Sequence, residues 1–373
     1  MEGSELLPVP NPLPVTVRGG WEPTMLGSRE ANYHVMSFKY EGNRLAVEMV
    51  HAISDGAGLL PYLKSVLYVY LSRRTGERFD PAGFRLPGQA IPETEIGDPF
   101  PGLDVDNAPP PLYRKPPIPD FYQLSDGRPT GRGLWRVFFL KLPEEQVIRY
   151  CRDVDGSPNV LMAALLARAV RRVDPDSERT VTAGVAYDGK ALLGNRDNYR
   201  MFASLATLDF PKGRSGEDIG KTCTLARGQL MLQTQPENEL DALRTRKQSF
   251  EQMGSLPLQA KVDIYNRALG EKRATVAVSY ANSRSFGPLD PYIRAVYCLG
   301  EPAVIDVLCE VACVNRGFFL ALTQSFETDD VFEAFLRELE EAEISYERLG
   351  TEAFRISAVR YDDLPGDTGA LRI

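Results

Sequence analysis

His51-Ala52-Ile53-Ser54-Asp55-Gly56 is the stretch on which the reading of this chain turns. Strongly β-favouring residues precede it: Asn32 to Tyr40, a turn at Glu41-Gly42-Asn43, then Leu45, Val47 and Met49 in apolar alternation. An amphipathic helix follows it, so His51 falls at a strand-to-helix junction. An imidazole titrates near neutrality and can take or return a proton there. Asp55, four residues on, can orient the ring directly or hold the loop through a basic partner. Gly56 permits a tight backbone turn that a side chain would obstruct. The residue types at this spacing suit a general base.

Working outward, Leu63, Val66, Leu67, Tyr70 and Leu71 fall on one helical stripe, read as core, with Pro61 in the first turn and Arg73-Arg74 at the C-terminal end. Upstream, residues 1–30 are rich in Pro and Gly, with one short strand at Val15-Thr16-Val17. His34 reads as a surface or packed residue inside the first strand of the hairpin. Downstream, residues 80–132 carry Pro92, Pro99, Pro101, Pro109 to Pro111, Pro116, Pro117 and Pro119. Such a tract crosses a surface in extended form, and a domain boundary falls inside it. The expected division is an N-terminal half, 1–125, carrying the histidine loop, and a C-terminal half, 126–373.

In the second half, strands are expected at Leu134–Leu142, Arg179–Ala186, Phe202–Phe210, Thr275–Tyr280, Ala303–Val314 and Gly317–Ser325. Helices are expected after Pro143-Glu144-Glu145, over Val160–Arg172, in three stretches across 216–270 broken near Pro236 and Gly254, and over Asp329–Glu343. The Val160–Arg172 helix is apolar nearly all round and therefore buried. The tail after Arg355 reads as weakly ordered. Strands and helices mix without the regular alternation of a doubly wound sheet, so the class is α+β.

Composition sets the limits. The 373 residues are 43% hydrophobic and 25% charged, material for roughly two soluble domains. A formal net charge of −8 argues against a nucleic-acid partner. No apolar run reaches the roughly 18 residues of a membrane span, and the first residues lack a secretory pattern, so a cytoplasmic location is expected. The five cysteines (151, 223, 298, 309, 313) form no Cys-x-x-Cys pair and fit reduced thiols, with Cys309 and Cys313 on one strand face. Two histidines leave no His-rich metal site, and no metal is expected.

The order strand, His51-x-x-x-Asp55-Gly56, helix resembles the signature of the CoA-dependent acyltransferase superfamily, which includes chloramphenicol acetyltransferase, plant-type acyltransferases and the condensation domains of peptide synthetases. Leu63-Lys64 and Tyr68-Val69-Tyr70 make the likeness closer to bacterial alcohol acetyltransferase-like proteins. Asn198-Tyr199-Arg200-Met201-Phe202 resembles the family's Asn-Phe stretch, and Val278-Ser279-Tyr280-Ala281-Asn282 with Phe286-Gly287 resembles its Ser-Asn-x-Gly crossing strand. The likeness spans roughly residues 30–345.

The resemblance implies two chloramphenicol acetyltransferase-like halves with mixed sheets and flanking helices, the first half shortened, and a tunnel between them. It implies acyl transfer from a CoA or carrier-protein thioester to a hydroxyl or amine, with acyl-CoA as co-substrate, no permanently bound cofactor and a monomeric chain. His51 would act as general base, Asp55 would pair with a basic residue, and Gly56 would let the backbone approach the reacting carbonyl. Ser279 and Asn282 would line the tunnel. Besides the shortened first half, where the hairpin starts near residue 32, the sequence departs from the family pattern in three places. Val50 stands where many members have a second histidine, the Asp-Phe-Gly-Trp-Gly motif is missing, and Tyr187-Asp188-Gly189-Lys190 offers a lysine where an arginine is common. Lys190 can meet Asp55 as a point charge without the two-pronged contact of a guanidinium. The alternative is a non-catalytic binding or scaffold module of the condensation type.

Overall fold

A computed structural model describes residues 11–98, 100, 103–118, 120–126, 128, 134–194, 196–281, 285–302 and 304–355. In chain order the elements are β1 (Thr16–Gly19), β2 (Met36–Glu41), β3 (Arg44–Met49), α1 (Gly56–Thr75), α2 (Glu93–Ile96), β4 (Leu134–Pro143), α3 (Glu144–Asp153), α4 (Pro158–Val173), β5 (Val181–Asp188), α5 (Gly189–Leu192), β6 (Ala203–Phe210), α6 (Ile219–Gln233), α7 (Pro236–Gly254), α8 (Leu258–Gly270), β7 (Ala274–Ala281), β8 (Ile305–Val314), β9 (Gly317–Gln324), α9 (Asp330–Glu341) and β10 (Glu347–Arg355). They build a three-stranded sheet, β1-β2-β3, and a seven-stranded sheet in the order β10-β4-β9-β8-β7-β5-β6. Both sheets are mixed. β1 runs parallel to β2, and β7 runs parallel to both β5 and β8, while the remaining pairs are antiparallel.

Strand alternation sorts the large sheet into two faces. One face carries Phe138, Leu140 and Leu142 of β4, Val276 and Val278 of β7, Val307, Cys309, Val311 and Cys313 of β8, and Phe318, Leu320 and Leu322 of β9. These side chains pack in one core with residues of α3, α4, α6 and α9. Leu161, Met162, Leu165 and Leu166 of α4 are all buried there. Each contributes about 1.5–3 kcal/mol by leaving water. The opposite face looks toward the first half of the chain. Val314 and Phe319 pack there with Leu71, Phe79 and Phe84, and Leu60, Leu63, Leu67 and Tyr68 of α1 complete that cluster.

Several sequence expectations are corrected. Helix α1 begins at Gly56, so Pro61 lies inside it rather than in its first turn. Tyr70 is 53% exposed, because the buried stripe runs through Leu60, Leu63, Leu67 and Leu71 instead. His34 lies two residues ahead of β2, half-buried, with Nε2 2.7 Å from the Leu13 carbonyl. The proline-rich tract does not merely cross a surface: Phe84, Val105, Phe121, Tyr122 and Leu124 are buried. Strand β10, which the sequence reading left out, closes one edge of the large sheet against β4, with a register shift between Arg348 and Gly350. The tail after Arg355 lies outside the described residues. No helix among the described residues is long and apolar enough to cross a membrane.

Candidate active site

The segment after β3 closes a turn, Ile53 N donating to the Val50 carbonyl at 3.0 Å, and His51 is left exposed at its first corner. The chain then drops inward, with Ser54 and Asp55 only 4% exposed. Asp55 caps α1, its Oδ1 accepting from Gly58 N at 2.9 Å. Such a cap contributes about 1 kcal/mol to a helix.

The same carboxylate is gripped from the second half of the molecule. Lys190 Nζ donates to Asp55 Oδ1 at 2.7 Å, and Phe202 N and Ala203 N donate to Oδ2 at 2.7 and 3.1 Å. Lys190, 0% exposed, also donates to the Asn198 and Arg200 carbonyls, each at 3.1 Å. Asp55 thus holds the loop rather than the imidazole. Of the two roles left open by its spacing, the geometry is that of the basic partner. α5 brings Lys190 into place, its first turn capped by Asp188.

Further contacts lock the loop. Ser54 Oγ donates to the Tyr199 carbonyl at 2.6 Å. Asn198 Nδ2 donates to the carbonyls of Thr94 and Gly97, and Tyr199 N donates to the Glu95 carbonyl, so α2 in the proline-rich tract braces the 198–203 segment. Phe100 stacks on Phe202 at 5.3 Å between centroids. The glycine that this packing demands is Gly58, not Gly56. A Cβ on Gly58 would collide with the Tyr199 carbonyl and Ser54 Oγ, whereas one on Gly56 would meet nothing within 4 Å. Gly56 faces open space.

Ser279 sits on β7, partly buried, and its strand partner on β8 is Glu310. Both occupy the face turned toward the first half of the chain, opposite the Val278 and Cys309 face. Burial pushes the Glu310 carboxyl above the usual carboxylate range; a hydrogen bond from the Ser279 hydroxyl and the charge of His51 pull it back in part. The sequence reading missed Glu310. An acid in the middle of the run Ile305–Val314, which also holds Asp306, was the available signal, since charges among apolar strand residues need a reason to be there. Asn282 lies outside the described residues.

Two cavities lie elsewhere. One, of about 380 Å³, is lined by Tyr113, Lys115, Tyr187, Leu205 and Asn238 among others. The other, of about 40 Å³, lies between Arg168, Phe210 and Leu225. Neither includes His51. Among the described residues no group of three His, Cys, Asp or Glu side chains is placed to hold a metal ion.

Solved structures place the architecture. F. graminearum TRI101 complexed with coenzyme A and deoxynivalenol is similar at 13% identity and a TM-score of 0.53, over 90% of this chain and 82% of that one. F. sporotrichioides TRI101 complexed with coenzyme A and T-2 is similar at 13% identity and 0.51, over 90% and 81%. The first condensation domain of the CDA synthetase is similar at 14% identity and 0.50, over 90% and 79%. The chain has the chloramphenicol acetyltransferase-like fold shared by CoA-dependent acyltransferases and condensation domains. No protein-family model and no curated protein matches the sequence.

Proposed function

We propose that the chain is an acyltransferase, moving an acyl group from a CoA or carrier-protein thioester to a hydroxyl or amine acceptor with His51 as general base. The observation that carries the reading is the clamp on Asp55. Four donors, three of them from beyond residue 189, fix the N-terminus of α1 and so set where the preceding turn presents the imidazole. A base held from both sides of the molecule while its ring stays exposed suits a reactant arriving between the halves.

In that scheme the imidazole takes the proton of the acceptor O–H or N–H as the oxygen or nitrogen attacks the thioester carbonyl. The carbon–sulfur bond breaks as the tetrahedral species collapses, and the proton passes to the departing thiolate. No covalent acyl-enzyme is required. The open backbone at Gly56 and Ser279 on β7 are the proposed lining of the passage, with Asn282, outside the described residues, as a further candidate. General acid–base assistance of this kind contributes about 10²–10⁴-fold.

The test is free thiol release from acetyl-CoA in the presence of a panel of alcohols and amines. His51→Ala should lower the rate at least about a hundredfold. Equal rates in wild type and His51→Ala, or no release in either, would leave the fold with a docking role instead of this chemistry.

A further inference from the structure

Strand β6 is an outer edge of the large sheet, and side chains fill its outward rungs one by one. Thr207 N donates to Gln233 Oε1 at 3.0 Å, and Gln233 Nε2 donates to the Thr207 carbonyl at 2.9 Å. Gln229 does the same at Asp209, at 2.8 and 3.3 Å. At the other end of the strand the Ala203 N–H is taken by Asp55. Outward rungs recur at every second residue of an antiparallel edge, and β6 pairs with β5 without a register shift, so the N–H and C=O of Leu205 also project from the edge. No group of the described residues meets them.

This bare rung opens on the cavity of about 380 Å³, whose wall includes Leu205 itself, Gln233, Tyr113 and Tyr187. A space of that size takes a small ligand. The Tyr187 hydroxyl donates to the buried Glu239 at 2.6 Å, which fixes that ring. The charges on the wall are already matched, Lys115 with Asp209 at 2.8 Å, and Asp241 with Arg114 and Arg244 at 3.5 and 3.4 Å. The site therefore suits an uncharged molecule.

We propose that this cavity binds a small, uncharged, planar molecule carrying a primary carboxamide or a cyclic lactam, whose N–H and C=O fill the Leu205 rung as Gln233 fills the next. The two glutamines define the chemistry. The N–H and C=O of one strand residue stand side by side, so the partner must present an acceptor and a donor along one edge. A primary carboxamide and a lactam both do so. An open-chain secondary amide is trans about its C–N bond and points the two groups in opposite directions; the amides of a CoA arm are of that kind and do not fit. A peptide strand is refused too, because it pairs along several rungs and those on either side, Ala203 and Thr207, are occupied. Tyr113 and Tyr187 offer apolar surface against which a flat ring packs. Acyl transfer is not needed for this binding.

Benzamide is the probe, and methyl benzoate is its match, with the same ring and carbonyl but no N–H. In a nitrogen–proton correlation spectrum of the full chain, benzamide should move the Leu205 amide signal. Saturation-transfer titrations should give benzamide an affinity at least about fivefold above that of methyl benzoate, the worth of one hydrogen bond. Leu205→Pro removes the donor at an edge position where the N–H makes no ladder bond and proline is tolerated; it should weaken benzamide by at least about fivefold. Leu205→Ala keeps the N–H and should stay within about twofold of wild type. Ala242→Trp fills the cavity from an exposed position on α7, should abolish binding, and serves should Leu205→Pro not fold. No binding of benzamide, equal binding of methyl benzoate, or benzamide affinity unchanged in Leu205→Pro or Ala242→Trp would leave the rung to water and overturn the proposal.

Discussion

The clamp on Asp55 makes a prediction whose size depends on which end is cut. Removing one member of a buried ion pair costs about 3–5 kcal/mol, because the survivor is left charged and out of water. The two ends are not equivalent here. In Lys190→Met, Asp55 keeps the three backbone donors Gly58, Phe202 and Ala203, so the cost should sit near about 3 kcal/mol. In Asp55→Ala those donors lose their acceptor, the α1 cap disappears and Lys190 keeps only the Asn198 and Arg200 carbonyls. The cost should approach about 5 kcal/mol. The double variant should be less damaged than the sum of the singles by about 2 kcal/mol, since neither charge then stands alone. Urea unfolding of the four proteins, followed by fluorescence and circular dichroism, measures all three values. Additive losses, or a Lys190→Met loss larger than that of Asp55→Ala, would refute the reasoning.

Other outcomes follow from the same geometry. Gly58→Ala should destabilise by about 1–3 kcal/mol through its collision with Tyr199 and Ser54, whereas Gly56→Ala, facing open space, should unfold within about 0.5 kcal/mol of wild type; urea midpoints decide. Asn198→Ala removes the two bonds to Thr94 and Gly97 and should expose the 93–97 segment to limited proteolysis before the rest of the chain is cut. Burial pushes the Cys151 thiol from an ordinary 9.0 to about 12. Above pH 9 the unfolded chain sheds that proton and the folded chain keeps it, so stability falls with rising pH toward 12. The slope is about 1.4 kcal/mol per pH unit for this thiol. Cys151→Ala should flatten the alkaline limb of a stability-against-pH curve by that amount, and an unchanged limb would count against the assignment.

Much of the fold was legible because its signals are local. The hairpin around Gly42, the all-round apolar α4 and the breaks at Pro236 and Gly254 each announce themselves within a few residues. β10 was not legible, since an edge strand alternates weakly: Glu347, Arg348, Leu349 and Thr351 are exposed and Gly350 takes φ of 137°. The proline-rich tract misled for a different reason. Prolines report backbone extension, but Phe84, Tyr122 and Leu124 among them report burial, and an extended chain can do both. At the site, the motif gave His51 and Asp55, and Lys190 was named as Asp55's candidate partner. The geometry sets Lys190 against Asp55, 135 positions away in sequence.

The grip of residues 190–203 on Asp55 also orders events during synthesis. A ribosome that has released α1 has not yet made the lysine or the two amides that seat it, so the emerging helix waits without its anchor while well over a hundred further residues are added. Any chain stopped short in that interval carries the histidine but not its mount. Prematurely terminated products of this gene are thereby denied the arrangement on which the proposed chemistry relies.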